Sequence, residues 1–175
     1  MDRRKFLAAA AVVTVAGGVV AGGVVAKAAV AQADLAQLFA DLQALQGKQV
    51  QSSGVWSASE VFQHCAASIQ GSMQGYPVHK SAIFKASAGK VAFTVFQAAG
   101  AMRHSLSEVI PGMPVLDAKV PFAESLTQLL ATLQMFIDFS GQLQPHFAYG
   151  ELSYADYALA HQMHIRNHLG EFIVT

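Results

Sequence analysis

The chain has 175 residues, of which 13% are charged and 53% apolar, with eleven basic side chains balancing eleven acidic ones. Charge this sparse, with no basic cluster, excludes the electrostatic footprint of a nucleic-acid binder and argues against a disordered chain. Cys65 is the sole cysteine, so no internal disulfide forms whatever the compartment.

Residues 1–33 read as a targeting segment. Asp2 to Leu7 spell DRRKFL, which resembles the core of a twin-arginine export signal. An apolar run from Ala8 to Val25 follows, then Lys27, then the small-x-small triplet Ala31-Gln32-Ala33 before Asp34. The resemblance implies handling by the twin-arginine export machinery, transport of an already folded chain, and a periplasmic or extracytoplasmic destination. That route is often taken by proteins that fill a cofactor site before export. The rival is an uncleaved anchor, with membrane contact only in that case, because the run is nearly long enough to span a bilayer. The Gly17-Gly18 and Gly22-Gly23 pairs weaken it as a membrane helix. Cleavage leaves residues 34–175 as one domain, with seven basic against ten acidic side chains and a net charge of −3.

Within that domain a short leading helix is predicted over 34–46, with Asp34 at its N-cap and Leu35, Leu38, Phe39, Leu42 and Leu45 on one stripe. Ser57-Ala58-Ser59-Glu60 is a capping box that starts a second helix running to about Met73, with Trp56 as the staple residue before it. A third helical segment is expected over 81–98. Residues 100–120, with Pro111, Gly112 and Pro114, form a long irregular connection of the kind that often carries function. It holds Arg103, His104 and Glu108, which either line a site or face solvent.

Pro121 opens the next helix, whose broad apolar face includes Leu126, Leu129, Leu130, Leu133 and Phe136, with Gln128, Thr132 and Asp138 as outer positions. Ser153 and Asp156 then cap a last helix within the stretch 154–172. No convincing strand is evident. The fold class predicted is all-α: an up-and-down four-helix bundle with a short extra N-terminal helix.

The last helix carries three of the seven histidines, His161, His164 and His168. Side chains four apart share a helix face, so the His164 and His168 imidazoles reach one point. Buried imidazoles replace apolar side chains at a cost, and a metal centre is a common reason to accept it. A bundle assembles such a centre from facing helices, and His64 in the capped second helix is the best-placed third donor. Three neutral imidazoles leave coordination open, which marks catalytic rather than structural sites. The donor set suits Zn, Ni, Fe or Cu without choosing among them. His161, a turn too early to share the point, His146 in the Pro145–Gly150 loop, and Glu171 after His168 are candidates to support a ligand by hydrogen bonding or to line the rim. Cys65 faces elsewhere than His64, and His79 and His104 are assigned to the surface. Met135 and Met163 point to copper only faintly. The alternatives to a metal are a proton-transfer site, a polar core network, or a stripe that is not buried after all.

Trp56…His64, the loop Pro145-His146-Phe147-Ala148-Tyr149-Gly150-Glu151-Leu152-Ser153, and His161-x2-His164-x3-His168-Leu169 together resemble the DinB/YfiT-like superfamily of metal-dependent four-helix bundles, within it a bacterial branch of unknown function. The likeness covers nearly all of 34–175. It implies a divalent metal on His64, His164 and His168. Relatives of known activity move thiol cofactors such as bacillithiol or mycothiol onto substrates, or isomerise with them. Those relatives are cytoplasmic, and an exported chain meets little free thiol. Many members carry Gln where this chain has Glu171.

Two classes of function follow. One is a metal-binding protein with a three-His centre, acting as a hydrolase or transferase. The other is a non-catalytic helical module that binds partner proteins or stores and delivers metal. An open cavity at the three rings favours the first. The sequence leaves a homodimer open.

Overall fold

The computed structural model describes residues 19–175, and side chains from residue 30 onward. The DRRKFL motif and the greater part of the apolar run lie outside the described residues. The chain is mostly helical: α1 (Val19–Gln43), α2 (Ala58–Gln74), α3 (Ala82–Phe84), a π-helical turn (Lys85–Gly89), α4 (Lys90–Ala99), α5 (Phe122–Ile137) and α6 (Tyr154–Leu169). Among the described residues no helix is long and apolar enough to cross a membrane.

Four helices share the main core. Leu35, Leu38 and Leu42 of α1, Val61, Phe62, Cys65 and Ile69 of α2, Leu126, Leu129, Leu133 and Phe136 of α5, and Tyr157 and Ile165 of α6 are almost wholly buried together. α1 lies against α5 and α6, and α2 against the same two. The leading helix is therefore a full member of the core rather than an accessory. It also starts well before Asp34, which sits inside α1 and caps nothing. The helical segment expected over 81–98 is present, but it lies to one side. Phe93 of α4 joins Met102, Ala160 and Met163 in a second, smaller apolar cluster on the outer face of α6.

Two further expectations need correction. The linker after Gly47 and the residues after α6 pair as a short antiparallel sheet, β1 (Val50–Ser52) with β2 (Phe172–Val174), in the register Val50–Val174, Gln51–Ile173 and Ser52–Phe172. Gln49 and Thr175 extend it by exchanging backbone bonds of 3.2 and 3.0 Å. The sequence hides this pair because each strand is three residues long and draws its partner from the far end of the chain. Thr132, expected on the outside of α5, is buried, and its hydroxyl is satisfied within the helix by donating to the Gln128 carbonyl (2.8 Å).

The π-helical turn coincides with a close backbone approach. A Cβ on Gly89 would collide with the carbonyl oxygen of Ala148, so the segment can pass the 145–150 loop at this distance only as glycine.

Candidate metal centre

α2 and α6 bring the three histidines together, and both helices start where the sequence says they should. The Ser57 hydroxyl accepts from the Glu60 amide (3.3 Å) while the Glu60 carboxylate accepts from the Ser57 amide (2.8 Å). At α6, Ser153 accepts from the Asp156 amide (3.1 Å), and Asp156 also accepts from Gln97 of α4 (2.8 Å). With the starts of both helices set, helical periodicity places His64 opposite the His164–His168 turn.

The three Nε2 atoms converge. His64 Nε2 lies 3.1 Å from His164 Nε2, which lies 3.2 Å from His168 Nε2. All three residues are buried, and each offers a ring nitrogen within 4.8 Å of the others'. A ring nitrogen carries either one proton or one lone pair, so His164 Nε2 satisfies at most one neighbour well. His168 Nδ1 is buried with no hydrogen-bond partner among the described residues. As a polar core the Nε2 cluster is thus poorly satisfied, while His168 Nδ1 is left unpartnered in either reading. As a donor set it fits: nitrogens at about 2.0–2.1 Å from a tetrahedral cation lie roughly 3.3 Å apart.

Electrostatics point the same way. Burial, reinforced by repulsion from His104, pulls the His64 pKa down to about 4. Burial, then His64 and His104, pulls His168 down to about 3. His164 is held well below its ordinary value by burial first and by the neighbouring histidines second. All three rings are neutral at pH 7, the state a metal ligand requires.

Trp56 forms one wall. Its ring lies 4.8 Å from that of His64 and 6.0 Å from that of His168, nearly parallel to the latter at 14°. The staple position before α2 thus also covers the His64 and His168 rings. On another side, His104 comes down from the 100–120 connection to within 5.0 Å of the His164 ring and 5.6 Å of His168, centroid to centroid. Its assignment to the surface does not hold: it is only partly exposed. The sequence left His104 between lining a site and facing solvent, because the contact spans 60 residues and an irregular connection has no period to read. Met102 and Ile110, both buried, flank His104 and are the available signal of an anchored loop. His79, by contrast, is exposed as expected.

A cavity of about 290 Å³ opens from His64, His104 and His164. It runs between α4, the 100–120 connection and the 145–150 loop, past Phe84, Phe96 and Tyr149, with Lys80 and Glu108 among its lining residues. His161 and His146 line it too, away from the point of convergence. His161 is buried between Tyr157 and Phe136 and bonds Ser72 (3.1 Å). His146 Nδ1 accepts from the amides of Ala148 and Tyr149 (both 3.1 Å), and its ring stacks on Tyr149 at 4.2 Å. Both are held neutral, with pKa values of about 3, by burial above all. Neither hydrogen-bonds to a ligand ring. Nor does Glu171, whose carbonyl accepts from the amide and hydroxyl of Ser53 and whose carboxylate packs against Gly54. The three residues offered as ligand supports therefore divide into two cavity-lining histidines and one residue beside the sheet.

No curated protein and no solved structure matches this chain. A family model does, over residues 26–175, which takes in α2, the 100–120 connection and α6 with all the histidines described above. The chain belongs to that family, described as Protein of unknown function (DUF1569).

Proposed function

We propose that this chain is a metal-dependent hydrolase or transferase whose single divalent ion, Zn, Ni, Fe or Cu, is held by His64, His164 and His168. The observation that carries the reading is the meeting of three buried Nε2 atoms at 3.1 and 3.2 Å. An ion held there supplies a Lewis acid or lowers the pKa of a bound water. The cavity meets the centre at His64 and His164, and its lining is largely apolar, with Lys80 and Glu108 as charged groups. That arrangement suits a small apolar substrate whose reactive head turns towards the ion. It also favours catalysis over a binding module, for which no cavity at the rings is needed.

The up-and-down bundle of the DinB type is supported by the four helices that share the core and by ligands drawn from facing α2 and α6. Export rests on DRRKFL at 2–7. Cleavage after Ala33 would shorten α1 and remove Ala31 from the core, but leave Leu35, Leu38 and Leu42 in place.

The test is elemental mass spectrometry on chain purified without chelator or affinity histidines, beside a His164→Ala/His168→Ala variant. Near one metal per chain is expected, and none in the folded variant. A wild-type chain that holds no metal, and takes up none from Zn, Ni, Fe or Cu, overturns the reading.

A further inference from the structure

His104 is the one group near the centre that the three-ligand reading leaves without a task. We propose that it is a fourth, displaceable donor, closing the resting centre from the cavity side and yielding its position when a substrate atom enters. This rests on the metal reading above.

Three observations support it. The first is ring geometry. An imidazole centroid stands about 3.2 Å from a cation that takes its nitrogen at 2.0–2.1 Å, so four rings at tetrahedral corners have centroids roughly 5.2 Å apart. The three inner rings are separated by 4.9, 5.0 and 4.9 Å. His104 stands 5.0 Å from His164 and 5.6 Å from His168. It therefore flanks the remaining corner from the His164 and His168 sides, with its ring nitrogens outside the set of three that lie within 4.8 Å of one another.

The second is the tautomer. His104 Nδ1 lies 2.7 Å from the Ser105 carbonyl. A carbonyl only accepts, so Nδ1 carries a proton, and in the neutral ring the lone pair is left on Nε2. A second ring nitrogen bonded to a backbone carbonyl is the usual arrangement behind a metal-bound histidine.

The third is the mounting. Two residues before His104, Met102 is buried with Ala160 and Met163 of α6, the turn that leads to His164. At the other end of the connection, Asp117 exchanges bonds with the Gln63 side chain (2.9 and 3.0 Å), and Val120 accepts from Ser59 (2.7 Å). Residues 107–109 between these anchors are exposed. A donor held at both ends of a loop, partly exposed and lining the cavity, can sit at the centre and still be exchanged.

X-ray absorption on the zinc-loaded full-length chain counts the imidazoles directly. Four are expected in the wild type and three in His104→Ala and His104→Gln, with zinc affinity, read by chelator competition, at least tenfold lower in both. The exposed-histidine control His79→Ala should match the wild type. Displacement is read on the cobalt-loaded forms: azide should bind His104→Ala at least tenfold more tightly than the wild type. Three imidazoles in wild type and variants alike would remove His104 from the centre and leave the three-His reading standing. Equal azide affinity would mean that His104 does not compete for the position, and a wild type that binds no azide at all would make His104 a fixed ligand; either result overturns its displacement. A wild type that takes up no zinc would end both readings.

Discussion

His161 donates its Nε2 proton to the Ser72 hydroxyl. The direction is settled by Ser72 itself, whose own proton goes to the Ile69 carbonyl at 2.6 Å, leaving its oxygen to accept from the ring at 3.1 Å. His161 is thus a satisfied, neutral, buried imidazole beside the cavity.

Its burial has a pH signature. The folded value of about 3 lies below the ordinary 6.5, so between the two the unfolded chain holds the extra proton. The stability is fully present above pH 6.5 and is lost as pH falls through that window, at up to about 1.4 kcal/mol per pH unit. His161→Phe removes this term. Urea melts at pH 7.5 and 5.0 should show the variant gaining about 2 kcal/mol relative to wild type at the lower pH. Parallel profiles for the two proteins would show that His161 is protonated without penalty.

Trp56 is the only tryptophan, and its ring lies within 6.0 Å of two of the three converging histidine rings. One equivalent of Cu(II) should therefore quench most of the intrinsic fluorescence, and a chelator should restore it. His168→Ala should abolish the stoichiometric step. Emission indifferent to metal would place binding elsewhere.

Gly89→Ala sets two effects against each other. Alanine gains roughly 1 kcal/mol of helix propensity over glycine. The new methyl, however, meets the Ala148 backbone, which cannot rotate away as a side chain would. Overpacking of this kind costs about 1–3 kcal/mol, so a net loss of stability is expected in a denaturant melt. A stabilised variant would show that the 145–150 loop yields freely.

Cys65 is fully buried, and burial pushes its thiol far above the usual range. The native chain should not react with a disulfide reagent over minutes, whereas the unfolded chain should react once per molecule. Rapid native labelling would mean that α2 opens locally.

Much of the site was legible because it lies on regular helices. The capping residues Ser57 and Ser153 announce α2 and α6, and helical spacing then puts His64, His164 and His168 on inward faces. What escaped depends on distant pairing. His104 reaches the rings across an irregular connection, and β1 finds β2 about 120 residues away. Residues 19–33 belong to α1 in the structure, but their Ala, Val and Gly content reads equally as a targeting segment. Composition does not distinguish an apolar core helix from an apolar leader. Glu171 follows His168 closely enough to suggest a partner for it, but the chain leaves the helix at Leu169 and carries the carboxylate towards Gly54.

The β1–β2 pair also determines how the molecule comes apart under force. An unfolding machine pulling from Thr175 first works against the backbone bonds to Gln49 and the two short strands. Once these give, α6 frays from its C-terminal end and surrenders His168, then His164, while Leu35, Leu38 and Leu42 still pack against what remains. An ion held as proposed would leave at the first mechanical step, before the core is lost, so turnover of the protein from that end would return the ion ahead of the amino acids.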